Sequence, residues 1–187
     1  DLRLLNADQV ESIEILKGAS STLYGSGAAT AVINIKLKEA DKKVISANFR
    51  SVLGSNQSHS DKNYAIENFM NSVSLNGTID NLNYFASFGN QFTDGLSAVS
   101  NGAEADVFKS INGNLKLGYH FSESLKINIY GSFDKYKADF DDSFEYADAD
   151  NVLTSDQFRV GIAPKYDYKD GSITFNGSYN KVERDIN

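Results

Sequence analysis

The 187 residues contain no cysteine, a single proline (Pro164) and two isolated histidines, His59 and His120. Without cysteine there is no disulfide, no thiolate metal site and no cysteine nucleophile. Without paired histidines a transition-metal centre has nothing to start from. No Ser/His/Asp grouping has a spacing that favours nucleophilic catalysis, so the chain reads as a non-enzyme with no cofactor. Positive charge is scarce: 18 Lys and Arg stand against 25 Asp and Glu, a net charge of -7. No basic stripe is visible, which argues against a nucleic-acid partner. No apolar run reaches the roughly 18 residues of a membrane helix, although alternating barrel strands would leave no such run either.

What is present is alternation. Phe and Tyr number 12 and 10, set among abundant Asn, Ser and Gly, and 41% of the chain is hydrophobic. From residue 44 onward apolar and polar residues alternate with a period of two, the mark of strands with one apolar and one wet face. The pattern predicts seven strands near 45–53, 69–79, 82–92, 111–121, 125–134, 158–169 and 173–180. In the fourth, Ile111, Leu115, Leu117, Tyr119 and Phe121 oppose Asn112, Asn114, Lys116 and His120. Phe85 breaks the pattern of the third.

The connections alternate too. Asp80-Asn81, Ser122-Glu123-Ser124 and Asp170-Gly171 are short, and Asp170-Gly171 predicts a type I′ hairpin turn. Loops near 54–65, 94–108 and 139–155 are long. Short turns on one edge and long loops on the other describe an outer-membrane barrel, with periplasmic turns and extracellular loops. Tyr84, Tyr119, Phe121, Tyr166 and Tyr168 cluster near the short turns on the apolar face, as an aromatic girdle would. Seven strands leave both edges unpaired, and the opening Asp1-Leu2-Arg3 and closing Asp185-Ile186-Asn187 read as interior sequence, so further strands are expected.

Residues 1–40 differ from the rest. A short strand ending at Lys17-Gly18, about one helical turn over 19–23, a break at Tyr24-Gly25-Ser26-Gly27 and a β run over 31–37 lead to a charged linker. The stretch Val10-Glu11-Ser12-Ile13-Glu14-Ile15-Leu16-Lys17-Gly18-Ala19-Ser20-Ser21-Thr22-Leu23-Tyr24-Gly25, continuing to Val32-Ile33-Asn34-Ile35, resembles the end of the plug domain of TonB-dependent receptors. Phe92-Thr93-Asp94-Gly95 resembles the same family. Ala19 stands where proline is usual, and Thr30-Ala31 where two glycines are usual.

The resemblance implies an all-β fold: part of a large antiparallel transmembrane barrel of about 22 strands, preceded by the end of an α+β plug. Residues 1–40 would be plug and 41–187 barrel, with the plug entering from the periplasmic side. It implies active import of a siderophore, vitamin or similar complex across the outer membrane of a Gram-negative bacterium. Partners would be the TonB–ExbB–ExbD complex, outer-membrane lipid, a small nutrient and, in some members, a surface lipoprotein. A porin or adhesin, or a soluble carbohydrate-binding β-sandwich, are the alternatives. Glu14, Lys17, Gly18, Tyr24, Gly25 and Asn34 carry the plug motif, with Glu14 and Lys17 as candidates for plug–barrel contacts. Asp94, Phe140, Asp141, Asp142, Phe144 and Tyr146 are candidates for ligand contact. Asp148 and Asp150 are the weaker candidates for a Ca²⁺ site, in a loop that lacks the glycine such loops use.

Overall fold

A computed structural model describes residues 10–18, 30–38, 43–56, 65–95, 105–142 and 147–187. The predicted helical turn over 19–23 lies outside them. The chain divides into two compact units, Asp1–Glu39 and Ala40–Asn187.

In the first unit, β1 (Val10–Lys17) and β2 (Ala31–Leu37) form an antiparallel pair, with Ile13 opposite Ile35 and Ile15 opposite Ile33. Gly18 closes it: its N–H donates to the Thr30 carbonyl at 2.8 Å, and its φ of 109° lies where glycine alone is comfortable. Ile13, Ile15 and Ile33 remain exposed, because two strands cannot bury a core.

The second unit is one antiparallel sheet. Its strands are β3 (Ser46–Gly54), β4 (Asn68–Ile79), β5 (Leu82–Thr93), β6 (Phe108–His120), β7 (Leu125–Asp142), β8 (Ala147–Tyr168), β9 (Gly171–Thr174) and β10 (Gly177–Ile186). Each pairs with its neighbour in sequence, except that β9 and β10 both pair with β8. The fold is all-β, and the strand paths are those the alternation predicts.

Three details differ from expectation. The seventh predicted strand is interrupted. Thr174 faces Lys165 and Gly177 faces Ile162, so β9 and β10 keep one register along β8. The gap falls opposite Pro164. The Phe175 N–H donates to the Pro164 carbonyl at 3.0 Å, but proline has no N–H to return.

The long loop expected over 139–155 is mostly strand. β7 continues to Asp142, β8 starts at Ala147, and Ala138, Asp139 and Phe140 face Leu153, Val152 and Asn151. The pattern breaks here because it changes phase: past Asp134 the apolar residues Tyr136, Ala138 and Phe140 lie on the opposite face from Ile129 and Phe133, while Lys135, Lys137 and Asp139 take the band's face. Ladder hydrogen bonds continue through such a switch.

The Asp170-Gly171 type I′ turn does not form. Tyr168 pairs with Gly171, the turn residues are Lys169 and Asp170, and none of these has a positive φ. Gly171 serves for space instead: a Cβ there would press on the Tyr168 ring. Asp80, in the Asp80-Asn81 turn, is the positive-φ non-glycine among the described residues, a conformation Asp tolerates better than most.

Candidate functional site

Register decides which side chains share a face, because cross-strand partners point the same way. Phe49, Val73, Phe88, Gly113, Phe133 and Phe158 form one such row across β3 to β8. This apolar face is open: Leu115 is 50% exposed and Tyr166 52%. The opposite face holds Ser72, Ser74, Ser110, Asn112 and Ser155, all buried, with Ser155 at 1%. Phe85 and Tyr136 lie on this polar face and are the buried hydrophobic residues among those described. A soluble sandwich would have the reverse pattern, with its apolar face in a dry core.

The apolar face has definite limits. It runs over 82–92 on β5 (Asn90 excepted), 111–121 from β6 into the turn, 125–133 on β7 and 158–168 on β8. Beyond the long-loop end the same face carries Lys109, Lys135, Asp156 and Lys181. In register, Phe92 faces Lys109, Ile111 faces Lys135 and Phe158 faces Lys181. The boundary therefore steps towards the short turns from β5 to β10. The other boundary steps the same way, from Leu82 on β5 through Phe121 after β6 to Tyr168 on β8. Parallel slanted boundaries are what tilted strands make when they cross a slab. Nine to eleven residues at about 3.3 Å each, tilted about 45°, span roughly 20–25 Å, the height of a barrel's lipid-facing band.

At the long-loop edge the strand ends are tied together. The Glu67 carboxylate accepts from the Asn56 backbone N–H and from Ser55 Oγ at 3.4 Å. The Glu67 carbonyl takes the Asp94 N–H at 2.8 Å, and Asn56 Nδ2 donates to the Gly95 carbonyl at 3.0 Å. Gly95, at φ 71°, lets the chain turn there. Sequence reading singled out Asp94 but missed Glu67 and Asn56, which organise the site. Their signal is faint: polar residues flanking a predicted loop.

The other candidates divide. Phe140 is exposed on β7, opposite Asn151. Asp141 is buried at a register shift in the β7–β8 ladder and accepts from the Ala149 N–H at 3.3 Å. Asp142 pairs with Ala147. Phe144 and Tyr146 lie outside the described residues. Asp148 and Asp150 are strand residues of β8, and no group of three or more metal-binding side chains gathers among the described residues. In the first unit, Asn34 Nδ2 donates to Glu14 Oε2 at 3.1 Å, and Lys36 pairs with Glu11 at 3.1 Å. Lys17 ends β1 and is exposed; Tyr24 and Gly25 lie outside the described residues. Asp141 thus acts as a hairpin brace. Asp141→Ala is expected to cost about 1 kcal/mol locally, read as faster amide exchange over 147–151 with the thermal midpoint little changed.

Comparison with known proteins adds a likeness in sequence and one in fold. The family model described as TonB-dependent Receptor Plug Domain matches residues 1–32. That match covers 32 of the 187 residues, all at the N-terminal end. No curated protein matches the sequence. Several solved structures share the fold, among them two receptors. One is a mutant of the ferric enterobactin receptor PfeA of Pseudomonas aeruginosa in complex with enterobactin, with a TM-score of 0.73 and 18% identity over 98% of this chain. The other is the siderophore receptor PirA of Acinetobacter baumannii, with a TM-score of 0.72 and 20% identity over 98% of this chain. This chain spans 29% and 28% of their lengths. The plug match ends within β2, and the sheet of the second unit begins at β3.

Proposed function

We propose that the protein imports a scarce nutrient across the outer membrane of a Gram-negative bacterium, driven through TonB. The observation that carries this reading is the slanted apolar band, exposed on one face of the sheet and bounded by charge. A face of that kind is stable against lipid and costly against water. The short turns would then be periplasmic and the long loops extracellular, with residues 1–40 as plug and 41–187 as barrel wall. The polar face, with its Ser and Asn side chains, suits the lumen side of a barrel wall. A porin or adhesin has no use for a plug segment, and this sets active import ahead of a passive barrel. Partners would be TonB–ExbB–ExbD, outer-membrane lipid and, for some substrates, a surface lipoprotein.

Two similar structures are siderophore receptors, so ferric chelates are the first substrate class to test. Asp94, Phe140 and their neighbours at the long-loop edge are the proposed contact region. In a strain lacking the gene, growth on one ferric siderophore as sole iron source should fail, and the full-length protein should restore it only when TonB is intact. Cobalamin and glycans serve as parallel substrates. Rescue that persists without TonB would sink the reading in favour of a passive pore.

A further inference from the structure

We propose that Gly77 and Tyr84 form a force stop: they clamp residues 43 and 44, so that a pull through residues 1–40 ends there and does not peel β3 from the sheet. The inference rests on the TonB-driven reading above, which supplies the pull.

Lys43 and Val44 are where such a pull enters the second unit. They precede β3 and belong to no strand, yet each is held. The Thr78 N–H donates to the Lys43 carbonyl at 2.8 Å, and the Tyr84 hydroxyl donates to the Val44 carbonyl at 2.7 Å. Gly77 sits between these donors, next to Thr78 on β4 and directly opposite Tyr84 on β5. A Cβ on Gly77 would run into the Val44 carbonyl oxygen and the Tyr84 hydroxyl. The glycine is the space through which the chain reaches the tyrosine, and a strand glycine often marks such a close backbone approach. The Val44 side chain is 65% exposed, so burial holds little of this segment and hydrogen bonds carry the load.

Tyr84 lies at the short-turn rim of the apolar band, where a tyrosine hydroxyl ordinarily faces headgroups and water. Here it turns back onto the protein instead. The phenol thus ties β5 to the chain ahead of β3, across β4. A pull arriving at Lys43 loads β4 and β5 together before it reaches the first rung of the β3 ladder, Ser46 opposite Asn76. Without the tie, the same pull would load the rungs between β3 and β4 from one end. Tyr119, at the same rim, packs edge-on against Phe121 at 4.8 Å between centroids and provides the comparison.

The test holds the full-length protein in a lipid bilayer and pulls on it at constant force by a handle ahead of Val10. In wild type, extension should pause once the chain up to residue 43 is drawn out. The step that follows should release residues 44–67, roughly 24 residues or about 80 Å of chain. Tyr84→Phe removes only the hydroxyl and should shorten the pause about five- to tenfold, the effect of one hydrogen bond. Forced unfolding reads that rate directly. Gly77→Val, which forces the Val44 carbonyl away, should shorten the pause at least as much. Tyr119→Phe should leave it unchanged. The thermal midpoint of Tyr84→Phe should stay close to wild type, because a rim contact matters more to a local pull than to the whole sheet. Equal pauses in wild type, Tyr84→Phe and Gly77→Val overturn the proposal, and so does a wild-type trace with no pause before residue 44. Growth rescue that persists without TonB removes the pull and takes this inference down with the import reading. Unchanged pauses in a protein whose import needs TonB sink this inference alone.

Discussion

Leu115→Arg should destabilise the full-length protein by about 2–4 kcal/mol, while Asn114→Arg, one residue away, should cost far less. Leu115 is 50% exposed, so in a water-soluble protein an arginine there would be nearly neutral. It sits near the middle of the 111–121 band on β6, in register with Ala86 on β5 and Gly131 on β7. If lipid covers this face, a guanidinium at that depth pays the midplane cost of a transmembrane barrel. Asn114 faces the other way, among Ser87 and Ser132, where a polar environment accepts charge. The comparison is made by denaturant-driven unfolding from lipid vesicles. Equal costs at the two positions would mean that the band does not face lipid.

The same contrast shows what was legible in the sequence. Alternation identifies a strand only where its two faces differ in polarity. It located β4, β5 and β6 closely, because residues such as Ile111, Leu115 and Leu117 oppose Asn112, Asn114 and Lys116. It stopped at about 134 on β7 and restarted at about 158 on β8, where the apolar band ends and the apolar residues Tyr136, Ala138 and Phe140 fall on the other face. The ladder continues there, held by backbone hydrogen bonds that side-chain pattern does not report. Proline was informative in a way alternation is not: Pro164 accounts for the break between β9 and β10 without any change of register.

The candidate site was less legible for a related reason. The acidic run from Asp139 to Asp156 reads in sequence as one loop of like residues. In the fold its members separate: Asp139 pairs with Lys137, Asp156 with Lys135, and Asp141 is buried against the Ala149 N–H. Asp141 and Asp156 meet cross-strand partners 8 and 21 residues away in sequence, which spacing alone does not reveal, and Asp139 meets Lys137 two positions back on its own strand. The plug motif was readable because its signal is local. Glu14 and Asn34, twenty residues apart, meet through a hairpin whose two strands are each evident as β runs.

Gly161→Leu should cost about 2–4 kcal/mol, the sum of overpacking and one lost hydrogen bond. Gly161 lies on β8 directly opposite Tyr130 of β7. A Cβ there would overlap the Tyr130 ring. The ring crosses the glycine and its hydroxyl donates to Asn176 Oδ1 at 2.8 Å. Asn176 sits in the gap between β9 and β10, opposite the Pro164 region where the ladder has lost a donor. Tyr130 therefore ties three strands together at their weakest point, and Gly161 is the space that lets it pass. Such an aromatic laid over a strand glycine pins register as well as adding contact. Tyr130→Phe removes only the hydroxyl and should cost about 1 kcal/mol. In a Tyr130→Ala background the ring is gone, so Gly161→Leu should lose most of its cost, or become favourable because leucine suits a strand better than glycine. A double-mutant cycle measures the difference, with contacting residues of this kind coupling by about 1–3 kcal/mol. An undiminished cost of Gly161→Leu without the tyrosine ring would show that the glycine is required for another reason, and the three-strand tie would be wrong.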